Sequence, residues 1–156
     1  MSPLHRLVTT LAALLVAATV TVGLAPAASA ASTGASPPCS SVRQIGDRKV
    51  VSDLGMSAFT VRQYVGWCRD ARGSAWMNFT SVYVWDQYHV RGFAYRSLAG
   101  VGVRGEPEAR GFTTGATRQQ LSYSTPVRTT SLCTQGWGKL SRAGSESAQG
   151  LTTLVC

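Results

Sequence analysis

The stretch WMNFTSVYVW, Trp76 to Trp85, carries a β-branched or aromatic residue at nearly every position. A strand with one wet face alternates apolar with polar; this one does not, so both of its faces are covered. That is the signature of a central strand. A helix would need apolar residues at three- and four-residue spacing over ten or more positions, and no stretch after residue 30 supplies them.

The neighbouring segments read as strands with a single covered face. In FTVRQYVGW, Phe59, Val61, Val65 and Trp67 share one face, with only Gln63 out of place, while Arg62 and Tyr64 take the other. In FAYRSLAGVGV, Phe93, Tyr95, Ala99, Val101 and Val103 share parity. Gly100 and Gly102 thin the opposite face, which predicts a bulge or the close approach of another backbone. GEPEARGFTTG, after Arg104, reads as a loop. Strands are then expected over Thr117 to Tyr123 and Thr129 to Leu140, with a turn at Ser124-Thr125-Pro126 between them. Ser141 to Gly150 reads as a second polar loop, and LTTLVC as a short last strand. The expectation is an all-β, antiparallel sandwich or small barrel of six or seven strands. The likeness of TVRQYVGW (Thr60 to Trp67) to ATRQQLSY (Ala116 to Tyr123) reads as shared β composition rather than duplication.

Four cysteines, Cys39, Cys68, Cys133 and Cys156, stand 29, 65 and 23 residues apart. Zinc ligands come in closely spaced pairs, and no two of these share a turn. An even number in an exported chain reads as two disulfides. Three connectivities are open; Cys39–Cys68 with Cys133–Cys156 is favoured because each half then closes its own loop.

Export is expected from the N-terminus. Arg6 precedes an apolar run, Leu7 to Leu24, and Pro26 precedes Ala28-Ser29-Ala30, a small-x-small cleavage signal. Residues 1–30 are therefore expected to be a cleaved secretory signal peptide. Residues 31–38 form a disordered polar segment, and residues 39–156 a single stapled domain. No second long apolar segment follows, so no membrane span is expected in the mature chain. The whole sequence has 15 basic and 7 acidic residues, a formal charge of +8; losing Arg6 leaves +7. Such a chain attracts anionic polymers, but its charges are spread singly, and a nucleic acid is not the expected partner.

Chemistry is sparse. His89 is the one histidine after the leader, and Asp86 precedes it by three. On a straight strand those side chains point to opposite faces, so a carboxylate–imidazole pair needs a turn. With Glu106 or Glu108 as base and an arginine on the phosphate, His89 as acid would suit a small secreted nuclease. The preferred reading makes Asp86 to Arg91 a turn and His89 structural. No G-x-S-x-G sequence occurs. Metal ligands are too few, the glycines at 100, 102 and 105 precede no helix, and no cofactor is expected. Asn78-Phe79-Thr80 matches a glycosylation signal, but its place in a strand argues against use. Aromatics beside arginines remain, and these stack on sugars or bases. Trp85, Tyr88, Arg91, Tyr95 and Arg96 are the binding candidates. The leading expectation is a secreted, non-enzymatic protein contacting an anionic cell-envelope polymer or a carbohydrate.

The cleaved leader, the early cysteine, WC, VYVWDQY, the C-x3-W element at Cys133 to Trp137 and the terminal cysteine together resemble small exported β-proteins of GC-rich Gram-positive bacteria. Those are domains of unknown function. YVWDQYH is also similar to a tyrosine–histidine stretch of lactococcin-type bacteriocins, small secreted β-sandwich peptides. That likeness implies an antibacterial activity as the alternative function; the chain departs from it in length and cysteine number.

Overall fold

A computed structural model describes residues 36–143 and 145–156, with backbone alone for 145–147. The expected leader and residues 31–35 of the polar segment lie outside the described residues. Two antiparallel four-stranded sheets face each other and do not close into a barrel. The first has the order β1-β2-β3-β6, with β1 Cys39–Asp53, β2 Met56–Asp70, β3 Gly73–Val84 and β6 Leu121–Tyr123. The second has the order β5-β4-β7-β8, with β4 Tyr95–Val103, β5 Arg110–Thr114, β7 Thr134–Arg142 and β8 Ser145–Leu151. Between β3 and β4 the chain makes one helical turn, α1 Asp86–His89.

The long hairpins form because their turns are short and suitably built. Leu54 and Gly55, joining β1 to β2, both have positive φ (51° and 75°), the backbone that a twist-matched two-residue hairpin loop requires. β2 and β3 then pair without interruption from Phe59↔Val84 to Asp70↔Gly73. Met77 to Val82 are all buried, so β3 is the doubly covered strand its composition predicts.

Its two faces are covered by different things. Toward the second sheet, Phe59, Val61, Val82 and Val84 meet Ala99 and Leu140 and the rings of Tyr88 and Tyr95. Burying side chains of this size contributes roughly 1.5–3 kcal/mol each. The sheets approach closely at Gly138, where a Cβ would lie 2.6 Å from a Val61 methyl and 2.7 Å from a Val82 methyl. Away from the second sheet, Met77, Phe79 and Cys68 make a smaller cluster flanked by Tyr64 and Tyr123, with Tyr64 stacked on Phe79 at 5.3 Å.

Further along the inner face the filling becomes polar. Gln63 Nε2 donates to Thr134 Oγ1 (2.7 Å), and Asn78 Nδ2 donates to Thr129 and Thr134 hydroxyls (3.1 Å each). Thr152 Oγ1 accepts from the Gly136 amide at 2.7 Å. Gln63, out of place by hydropathy, is thus fully buried and satisfied. Two disulfides, Cys39–Cys68 and Cys133–Cys156, close this same end with the favoured connectivity.

Several expected boundaries are corrected. There are eight strands among the described residues, not six or seven. β1 escapes sequence reading because it is an edge strand whose side chains face water. Register shifts at Ser40/Arg43, Ile45/Lys49 and Val51/Ser52 also break its alternation. The loop expected after Arg104 ends early, in β5, and the polar segment 141–150 is the β7–β8 hairpin. An outer strand needs backbone partners rather than apolar side chains, which is why both read as loops. Thr117 to Gln120 make turns and only Leu121–Tyr123 pair; in LTTLVC only Leu151 belongs to a strand, with Val155 bridging singly to Thr134. Among the described residues no helix is long and apolar enough to cross a membrane. The bulge predicted by the β4 glycines is present as a register shift between Ala99 and Val101 against β5. The two echoing segments flank β3 in one sheet instead of occupying equivalent places in two halves.

Candidate functional site

The helical turn supplies what an Asp86–His89 pair requires, yet the two side chains have separate partners. Asp86 Oδ1 accepts from Tyr83 Oη (3.1 Å) and from Gln120 Nε2 (2.7 Å). His89 Nδ1 lies 2.7 Å from Tyr95 Oη, which also donates to the Arg118 carbonyl at 3.3 Å. Arg118 returns a bond to the His89 carbonyl (3.3 Å). These contacts tie the β3–β4 corner to residues 118–120. They clasp that corner through side chains and backbone.

Tyr88 and Tyr95 are fully buried, so neither presents a face to a ligand, against the expectation. Their rings had to be inside because they fill the space under the corner, where Tyr88 packs on Phe93 and Tyr95. The Tyr88 hydroxyl reaches Asp53 Oδ2 at 2.5 Å, and Arg142 approaches the same carboxylate at 3.5 Å. Burial, reinforced by the Asp53 carboxylate, pushes the Tyr88 phenol well above its ordinary range. Burial pushes the Tyr95 phenol up to about 12. Trp85 is half-buried, its indole N–H donating to Thr60 Oγ1 (2.9 Å). Arg91 and Arg96 are exposed, and Arg96 reaches Thr117 Oγ1 at 3.4 Å.

Glu106 and Glu108 follow the far end of β4 from Tyr95, and eight strand rises separate those ends by roughly 27 Å. The residues proposed for a nuclease are therefore not brought together. Glu106 instead pairs with Arg110 through two guanidinium nitrogens, Nε and Nη2, the Nε contact at 2.8 Å, and this raises the arginine's pKa. Among the described residues no cluster of three metal-ligating side chains occurs.

The glutamates belong to a different feature, a groove of about 690 Å³ on the outer face of the second sheet. Its floor comes from strand pairing. Gly100 of β4 lies opposite Trp137 of β7, and Trp137 opposite Leu151 of β8. Gly100 has no side chain to stand beside the indole. The space goes to loop 104–109, whose Ala109 Cβ lies 2.8 Å from where a Gly100 Cβ would be. Phe112 of β5, 53 % exposed, stands against Trp137 with ring centroids 5.8 Å apart. Gln135, Gln149, Glu106 and Glu108 supply amides and carboxylates around these rings. An apolar ring floor edged by a few polar groups, at this volume, is the usual make-up of a small-molecule site.

Residue-by-residue reading passed over this groove. The signal was the triplet Gly136-Trp137-Gly138: its glycines face the first sheet, where Gly138 abuts Val61 and Val82, so the tryptophan must face out. No family model, no curated protein and no solved structure matches this chain.

Proposed function

We propose that the chain is a secreted, non-enzymatic carbohydrate-binding protein whose site is the groove over Trp137. The observation that carries this reading is one exposed face combining the Trp137 and Phe112 rings with Gln135, Gln149 and two carboxylates. Sugars offer apolar C–H faces that stack on aromatic rings and hydroxyls that bond amides and carboxylates. Glu108 favours a neutral glycan here over an anionic polymer, whose charge it repels, while Glu106 is offset by Arg110. Both disulfides and the cleavage signal at Ala30 support export, where extracellular glycans are met.

The test is binding of the exported chain to insoluble neutral polysaccharides and to cell-wall glycan, read by depletion and by tryptophan fluorescence. Trp137→Ala is expected to weaken retention at least tenfold without changing the unfolding temperature. Retention unchanged in Trp137→Ala removes the groove from the reading. Retention on none of the glycans, by a folded protein, removes the carbohydrate. Mass spectrometry of the exported chain is expected to place its N-terminus at Ala31.

A further inference from the structure

The groove leaves another exposed aromatic group unexplained. Trp67 and Trp76 are cross-strand partners near the tip of the β2–β3 hairpin. They extend the inner face one row beyond Val65 and Asn78, past the cover of the second sheet, and are 43 % and 44 % exposed. Leu132 and Leu154, also exposed, share this end: each lies within two residues of the Thr134–Val155 bridge, and Thr134 bonds Gln63 and Asn78. Leaving these side chains in water works against folding, and nothing within the described residues covers them.

The end is rigid. Cys68, next to Trp67, is bonded to Cys39, and Cys133, next to Thr134, is bonded to Cys156. It is also cationic. Arg128 offsets Asp70 (2.8 Å) and Arg110 offsets Glu106. The Arg128 guanidinium holds the Asp70 carboxyl at about 2, so it stays charged. That leaves Arg43, Arg69, Arg72 and Arg104 against Glu108 and Asp47, whose amide bonds Thr153 Oγ1 beside Leu154. Arg43 is registered with Val65, Arg69 and Arg72 are in the hairpin tip, and the Arg104 amide bonds the Cys133 carbonyl.

We infer that this end docks on an anionic lipid bilayer surface, with Trp67 and Trp76 at the headgroup level and the arginines on the phosphates. Indoles favour that depth because one ring offers an apolar body and a polar N–H. The two rings meet edge-to-face at 5.8 Å and 71°, a wedge rather than the flat platform on which a sugar stacks. A second copy of this end is disfavoured by the like charge each would bring. Docking here is peripheral, and it places the Trp137 groove on a protein held at a membrane.

The experiment uses the processed chain with vesicles of phosphatidylglycerol and phosphatidylcholine, and with phosphatidylcholine alone. Flotation and tryptophan emission are the readouts. Binding with a blue shift is expected on the anionic vesicles and at least tenfold less on neutral ones. Trp67→Ser with Trp76→Ser is expected to abolish it, and Trp137→Ala to leave it intact. Arg69→Ser and Arg72→Ser are each expected to weaken it by about fivefold. No binding to anionic vesicles overturns the inference, as does equal binding by the double tryptophan variant. A tryptophan-dependent dimer in sedimentation equilibrium, without vesicle binding, overturns it in favour of self-association. Should the double variant misfold, the anionic-to-neutral ratio and the arginine variants decide.

Discussion

The two ends of the sandwich are held by different physics. At one end Phe59, Val84, Tyr88, Tyr95 and Leu140 are fully buried, and the helical turn closes over them. At the other the inner face carries Gln63, Asn78, Thr129, Thr134 and Thr152, joined by hydrogen bonds and bracketed by both disulfides. Satisfied polar groups contribute about 1 kcal/mol net per bond, less than an aromatic core residue does. Covalent closure makes up the difference. An end stapled in this way does not need its tryptophans inside, and so Trp67 and Trp76 are available to something else.

The largest effect is expected where burial alone does the holding. Phe59→Ala opens a cavity between the sheets beside Tyr88 and should lower stability by about 3–5 kcal/mol, measured by urea unfolding of the oxidised protein. A loss below about 1 kcal/mol would mean that the tyrosine end is loosely packed and that the contrast between the ends is overstated.

Next in size is removal of a staple. Cys39→Ser with Cys68→Ser frees a 29-residue separation and should cost about 3–4 kcal/mol. Hydrogen exchange sharpens the point. Amides of Cys39 to Arg43 and Thr152 to Val155 are expected to lose protection first, while those of Phe59 and Val61 keep theirs. Uniform loss of protection would show one cooperative unit instead of two differently held ends.

Gln63→Leu tests the polar filling. It removes the donor to Thr134 Oγ1 and leaves buried hydroxyls short of a partner, at a cost of about 1–3 kcal/mol. Neutral or improved stability would show that the hydroxyls re-pair among themselves.

What the sequence revealed follows the same division. β3 announced itself because both of its faces are buried, and the cysteine pairing followed from loop closure. Gln63 looked like an error of pattern until the second sheet brought Thr134 and Thr152 to it from 71 and 89 residues away. β1 and β8 left no trace because edge strands are specified by backbone pairing, which any side chain permits. The groove was hidden for a related reason. Gly100, Trp137 and Leu151 are far apart in the chain and become neighbours only through the order β4-β7-β8. His89 drew notice by composition, whereas its role depends on Tyr95, which alternation places correctly inside and composition alone placed at a surface.

Titration separates the ends by pH. Unfolded tyrosines ionise near 10, but burial holds Tyr95 protonated up to about 12 and Tyr88 higher still. Their raised folded pKa means that the contribution is complete below pH 10 and is lost as pH climbs from 10 through 12. The melting temperature should therefore fall over that alkaline window, and less steeply in Tyr95→Phe. A fall of equal slope in that variant would assign the alkaline weakness to other groups.

The smallest effect belongs to the ion pair at the hairpin tip. Arg128 holds Asp70 at about 2, so the pair's contribution is present above the carboxyl's unfolded value, near 3.8, and is lost as pH drops toward 2. Both partners are in contact with solvent, where screening and side-chain entropy consume most of the attraction. Asp70→Asn should accordingly shift the melting temperature little at neutral pH, and the shift should shrink as pH falls from 3.8 through about 2. Its sharper consequence is electrostatic, since the substitution removes one negative charge from the end that carries Trp67 and Trp76. If that end meets anionic surfaces, Asp70→Asn should bind them more tightly than the native chain while leaving the tyrosine end's alkaline transition where it was.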